Sequence, residues 1–257
     1  MTLFQVIVLA VIQGVTEFLP ISSSAHLVFM PKLLGFTEPT VTFDVLLHLG
    51  TLISILIYFR KEIIKILLGL ARQEKQAFQI LLFIIIATLP AIFFGVLFED
   101  KVDQAFGSVK AVGVFLLITA ILLLSTKLIK SEGKKIDQLT WKNALFVGVL
   151  QAVAILPGVS RSGSTITAGL WQKLDRETAF RFSFFLGIPA IFGAAVLKMK
   201  DLSTLTRGGL TEELVGLIIA SVVGYFSLKV LESVLKSAKL YWFGFYCLIL
   251  GLLLLVF

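Results

Sequence analysis

Two stretches of this chain put chemically able side chains inside apolar sequence. One is PGVSRSGST, Pro157 to Thr165, lying between the uncharged runs 143–160 and 162–172. An arginine near the middle of a bilayer costs roughly 2.5–3.5 kcal/mol on insertion scales, so Arg161 marks a functional site with a partner. Pro157 and Gly158 break any helix that reaches them, and the hydroxyl residues beyond them cap a new helix starting near Ser160. Such a start aims free backbone N–H groups and a positive dipole end at what lies before it. With the bidentate fork of Arg161 and the hydroxyls of Ser160, Ser162 and Thr165, the stretch suits a phosphate. The plainer reading is an arginine packed against a backbone carbonyl.

The other stretch is QGVTEFLPISSSAH, Gln13 to His26. Gln13 and Glu17 are four residues apart and share one face of a helix that Pro20 ends. Ser23 and His26, three apart, share a face of the helix that restarts after it. A hydroxyl and an imidazole within hydrogen-bonding reach are the parts of an activated nucleophile. Glu17 offers a hard oxygen ligand for Mg²⁺ or Ca²⁺, or a proton acceptor. Taken singly, each has a structural explanation: serines that cap a helix, an interfacial histidine, a glutamate facing water.

The elements that must position these residues are set by composition. With 58% hydrophobic and 15% charged residues over 257 positions, the chain reads as an all-α integral membrane protein whose partner is the lipid bilayer. Its net charge of +7 lies in short loops between apolar runs, which argues against nucleic acid as a partner. The single cysteine, Cys247, excludes an intrachain disulfide and a cysteine metal site. Met1–Gln5 carries no Lys or Arg, so no cleavable signal peptide is expected.

Six segments are long enough to span: Phe43–Phe59, Phe78–Phe98, Ala111–Ile129, Ala179–Leu197, Leu214–Leu231 and Leu240–Phe257. The segments 60–76, 127–142, 173–181 and 229–239 hold sixteen of the 23 Lys and Arg residues, against six in 32–44, 99–110 and 198–213. The first group is therefore assigned to the cytoplasm. The apolar stretch between 127–142 and 173–181 then turns back at Pro157–Arg161 as a re-entrant hairpin, and residues 3–35 do the same from the other side. The expectation is one membrane domain, 1–257, of six transmembrane helices plus two re-entrant helical hairpins. Its halves, 1–130 and 140–257, form an inverted-topology repeat whose broken helices meet near the midplane. Pro20 and Pro157, Ser23 and Ser160, Phe43 and Phe180, Leu49 and Leu186, and Gly50 and Gly187 align at one constant offset.

The motifs resemble those of the bacterial undecaprenyl-diphosphate phosphatase family of the bacitracin-resistance type. Gln13, Glu17, Pro20, Ser22, Ser23 and His26 match its first motif, Pro157 through Thr165 its second, and Thr42–Thr51 a further block; the resemblance covers the whole chain. It implies hydrolysis of a polyisoprenoid diphosphate lipid to its monophosphate, dependence on a divalent cation, and an active site facing the extracytoplasmic side of the plasma membrane. Gln13 stands where some members have Glu, which leaves one carboxylate and asks more ligands of phosphate or water. On this basis Ser23 attacks phosphorus with His26 as base, while Arg161, Ser160, Ser162, Thr165 and Ser22 hold phosphoryl oxygens and Glu17 and Gln13 the cation. The roles of Ser23 and His26 can also be exchanged, and spacing does not separate the two chemistries.

Inverted repeats with broken helices are also typical of transporters, so a carrier or flippase for a phosphorylated lipid is the alternative; the Ser23–His26 pair opposite Arg161 favours hydrolysis. The acid-phosphatase-like class needs two histidines with an aspartate late in the chain, whereas His26 and His48 are both early. Asp44 and His48, four apart in the first span, either shape the same chamber or, as the favoured reading, sit at the outer interface and pack against a helix, and Arg181 is expected to snorkel. Trp141, Trp171 and Trp242 lie near interfaces. Oligomeric state, a homodimer included, is left open.

Overall fold

The computed structural model describes residues 1–36, 39–129, 133–198 and 210–256. Among them the secondary structure is helical: α1 (Leu3–Thr16), α2 (Ser23–Leu34), α3 (Val41–Tyr58), α4 (Arg60–Ala71), α5 (Lys75–Leu97), α6 (Glu99–Phe106), α7 (Val109–Ser125), α8 (Trp141–Val153), α9 (Arg161–Trp171), α10 (Arg176–Lys198), α11 (Leu210–Lys236) and α12 (Tyr241–Val256). Five helical stretches among the described residues are long and apolar enough to cross a membrane: Val41–Tyr58, Lys75–Leu97, Val109–Leu128, Arg176–Lys198 and Thr211–Lys236. They correspond to five of the six expected spans. The sixth, α12, has 16 residues; at about 1.5 Å per residue it falls short of a hydrocarbon layer of about 30 Å. Much of the expected outer loop 198–213, and parts of 32–44 and 127–142, lie outside the described residues.

Two charged segments read as loops are helical. In α4, Arg60, Lys61 and Lys65 alternate with exposed Ile64, Leu67 and Leu68, the pattern of a helix lying at an interface. The acidic first turn of α6, Glu99 and Asp100, complements its N-terminal dipole. Both stretches have helix-period amphipathicity that a count of loop charges does not register.

Helices meet through small residues, as expected where the solvent is lipid and close backbone approach replaces hydrophobic drive. α1 and α3 pack on α11, α8 on α5, and α12 on α7. A Cβ on Gly148 of α8 would lie 2.5 Å from the Ala87 carbonyl oxygen of α5, and one on Gly50 of α3 would collide with the Leu217 carbonyl oxygen of α11. The core beneath the chain breaks is aromatic. Phe18 meets Phe184 edge-to-face and Phe59 stacks on it, with ring centroids 5.6 and 5.9 Å apart, joining the end of α1 to α3 and α10.

Arg181 does not simply snorkel. It pairs with Glu177 at 2.5 Å and reaches Glu62 of α4 at 3.8 Å, because the α4 helix brings an acid to it. The three tryptophans are exposed on the helix bundle, as an interfacial belt requires.

Candidate active site

The site is built from two interruptions of helix. α1 stops at Thr16 and α2 begins at Ser23; between them Pro20 denies the ladder an N–H. Ser22, at φ 68°, caps α2 by accepting from the Ala25 N–H. The second interruption runs from α8 to α9. Ser160 caps α9 by accepting from the Gly163 N–H at 3.1 Å, so the new helix starts at Arg161 as its sequence anticipates. Gly158 sits at φ 111°, and a Cβ there would lie 2.5 Å from the Val112 carbonyl oxygen. Only glycine takes that left-handed turn while pressed against α7.

The interruptions touch. The Gly158 N–H donates to Ser24 Oγ at 3.2 Å, and the Gly158 carbonyl accepts from Thr119 Oγ1 of α7 at 2.8 Å. Thr119 also accepts from the Ser160 N–H at 2.9 Å, which fixes the start of α9 in place.

At the junction the Glu17 carboxylate is gripped from both sides. Its Oε1 is 3.0 Å from Arg161 Nη2, and its Oε2 accepts from Ser23 Oγ at 2.7 Å and from Gln13 Nε2 at 3.3 Å. The Arg161 guanidinium also donates to the Ser183 carbonyl at 3.4 Å and lies over the Phe184 ring at 5.6 Å. The guanidinium thus has a carboxylate of the chain itself as partner, beside a backbone carbonyl of the kind the plainer reading expected. The serine hydroxyl and the guanidinium hold the two oxygens of one carboxylate. The side chains of Glu17 and Arg161 are only 8% and 14% exposed, which strengthens every charge interaction among them.

The expected Ser23–His26 pair does not form. His26 Nδ1 faces the Ser22 carbonyl at 2.8 Å and so carries the ring proton; Nε2 then accepts from the Tyr246 hydroxyl at 2.7 Å. Equal spacing on a helix brings two Cα atoms to one face, but the carbonyl of the turn before claims the imidazole and Glu17 claims the serine. The acceptor beside Ser23 is Glu17.

His48 is closer to the site than its expected packing role. Its Nε2 is 3.8 Å from Glu17 Oε2, its Nδ1 is 2.8 Å from the Asp44 carbonyl, and its side chain is 36% exposed. Asp44 has a buried Oδ1 with no hydrogen-bonding partner.

The remaining hydroxyls divide in two. Ser160 and Ser162 lie 3.2 Å apart at the start of α9, and Ser22 pairs with Ser24 at 3.0 Å. Thr165, in contrast, donates to the Arg161 carbonyl at 2.8 Å and meets Ser183 Oγ at 2.6 Å. It braces α9 against α10, and would bind phosphate only by giving up those partners. Thr119, Ser183 and Tyr246 are not legible in the sequence because each reaches the site from a separate helix with no motif of its own.

The donor set bears on a cation. Gln13 gives its amide N–H to Glu17 and leaves Oε1 buried without a donor. That orphan and the Glu17 carboxylate are hard oxygens of the kind Mg²⁺ and Ca²⁺ take. Among the described residues no group of three His, Cys, Asp or Glu side chains is arranged to hold a metal.

A bundle of apolar helices with broken helices in its interior defines a multi-pass membrane protein, with Arg161, Glu17 and Ser23 in contact in that interior. The family described as Bacitracin resistance protein BacA matches residues 6–253, and the chain belongs to it. Proteins named undecaprenyl-diphosphatase are similar along their full length. That of Halothermothrix orenii is 43% identical over 258 residues, covering 100% of this chain and 98% of the relative. That of Carboxydothermus hydrogenoformans is 42% identical over 260 residues, with 100% and 97% covered, and that of Methanobrevibacter smithii 40% over 268 residues, with 98% and 96% covered.

Proposed function

We propose that this protein is an undecaprenyl-diphosphate phosphatase, which hydrolyses the lipid diphosphate to undecaprenyl phosphate and inorganic phosphate and so recycles the carrier for cell-wall polymers. Family membership and the names of its relatives support the activity. The observation that carries the chemistry is the Glu17 carboxylate held between Ser23 and Arg161. A transporter needs an anion cradle but has no use for a serine hydroxyl donated to a carboxylate base.

In the reaction Ser23 Oγ attacks the terminal phosphorus, passing its proton to Glu17 Oε2 as the bridging P–O bond breaks and undecaprenyl phosphate leaves. Water then attacks the phosphorus as the bond to Ser23 Oγ breaks; the proton held by Glu17 returns to the Ser23 oxygen, and the water's protons leave with the inorganic phosphate. Arg161, the Ser160 and Ser162 hydroxyls, Ser22 and the first N–H groups of α9 stabilise the phosphoryl oxygens, work that is mostly positioning and electrostatics. The phosphate takes over Arg161 from Glu17, freeing the carboxylate as charge enters the site. Glu17 and Gln13 Oε1 would hold the divalent cation, which would neutralise charge on the diphosphate.

We also read the architecture as six spans with two re-entrant hairpins in an inverted repeat. The order helix, break, helix, then three further helices recurs in α1, α2, α3, α5, α7 and in α8, α9, α10, α11, α12. The paired contacts of α1 with α11 and α8 with α5 support it. The lipid tail then stays in the bilayer while the diphosphate enters from the extracytoplasmic side. The deciding assay is phosphate release from undecaprenyl diphosphate by purified protein in detergent, where transport has no meaning; absence of release would refute the hydrolase reading.

A further inference from the structure

We infer that Tyr246, on α12, is a positioning residue for the reaction: its hydroxyl fixes the tautomer and orientation of His26. This rests on the phosphatase reading above. The contact joins residues 220 apart in sequence, with the Tyr246 hydroxyl 2.7 Å from His26 Nε2. The rings are parallel within 6° at a centroid separation of 5.9 Å. The opposite edge of the imidazole is fixed by the Ser22 carbonyl, 2.8 Å from Nδ1, and Phe29 lies beside it with a centroid 5.3 Å away. A carbonyl accepts only, so Nδ1 carries hydrogen and Nε2 presents a lone pair to the phenol.

The same helix makes a second tie to the first break. Cys247, adjacent to Tyr246, directs its thiol at the Pro20 carbonyl at 3.7 Å, and its side chain is fully buried. α12 thus grips the interruption at both of its functional ends: Pro20, where the chain turns, and His26, where the new helix has begun. His26 shares its helix with Ser23, and Ser22 both caps that helix and holds the imidazole. Fixing the ring from α12 therefore fixes the turn that carries the nucleophile. Tyr246 is itself 43% exposed, while His26 is 5% exposed behind it. The phenol closes the one ring nitrogen that has a free lone pair, leaving His26 neutral and oriented.

The chain has only two histidines, so ring nitrogens labelled with ¹⁵N can be read directly in the full-length protein in detergent, with His48→Asn used for assignment alone. Wild-type His26 is expected as the Nδ1–H tautomer with Nε2 hydrogen-bonded. In Tyr246→Phe the Nε2 signal should move to that of a free pyridine-type nitrogen. Turnover of undecaprenyl diphosphate should fall about tenfold in kcat, the scale of one lost hydrogen bond, with KM within about twofold. A wild-type His26 in the Nε2–H tautomer, or an Nε2 signal that ignores Tyr246→Phe, overturns the contact. A shifted signal with unchanged kcat overturns the positioning role alone, whereas wild-type protein that releases no phosphate overturns the hydrolase reading and this role together.

Discussion

Glu17 Oε1 and Arg161 Nη2 lie 3.0 Å apart although 144 residues separate them in sequence. Each is costly in an apolar interior by itself, and each removes the other's cost only because the two helix breaks meet. In the reaction proposed above, the carboxylate occupies the guanidinium until a diphosphate, with more charge and more oxygens, replaces it.

Arg161→Ala should lower kcat/KM by the equivalent of at least about 2–5 kcal/mol, since it leaves Glu17 buried without its partner. Arg161→Lys keeps the charge but loses the planar fork that reaches Glu17 and the Ser183 carbonyl together. Steady-state kinetics on both variants checks this, and near-normal turnover by Arg161→Lys would contradict bidentate binding.

Ser23→Ala should abolish turnover and any covalent phosphoenzyme, while the fold survives because the cap of α2 is Ser22. Trapping with substrate labelled in its terminal phosphate separates the two nucleophiles. An acid-labile phosphohistidine in Ser23→Ala would transfer the role to His26.

Gly187→Ala is predicted to disable the site without unfolding the protein. Its Cβ would lie 2.5 Å from Arg161 Nη1, so the guanidinium must move off Glu17. Gly158→Ala meets backbone instead, at φ 111°, and should destabilise the fold by about 1–3 kcal/mol. Thermal melting in detergent beside phosphate release tells the two apart: loss of activity with an unchanged melt for Gly187→Ala, a lowered melt for Gly158→Ala.

Gln13→Glu adds a second carboxylate beside Glu17 and should lower the cation concentration for half-activity about tenfold, because affinity for hard cations rises with ligand charge. Titration of chelator-treated protein with Mg²⁺ or Ca²⁺ reads this out. A requirement that does not move would remove Gln13 from the ligand set.

In a background lacking Cys247, a cysteine at Lys135 should react with a membrane-impermeant maleimide only from the cytoplasmic side, and one at Gln104 only from outside. Both positions are exposed. Labelling of the two from the same side would contradict the assignment of sides by loop charge.

The sequence by itself determined the solvent, the helical class and the location of both breaks. Those properties are local: hydropathy over some twenty residues, a proline without an N–H, a serine able to cap the helix after it. Ser160 caps α9 and Gln13 bonds Glu17, as spacing along one helix requires. The amphipathic α4 and α6 were equally local, but a tally of loop charges hides their period.

What only the tertiary structure decided is which of several able groups becomes whose partner. Ser23 had two candidates near it in sequence, His26 and Glu17; the fold gave it Glu17, because Ser22 and Tyr246 had already engaged both imidazole nitrogens. Tyr246, Ser183, Thr119 and His48 joined the site from four other helices. Hydrogen bonds and ion pairs act over about 3 Å in space whatever the separation along the chain, so a motif can announce the chemistry while packing alone assigns the partners.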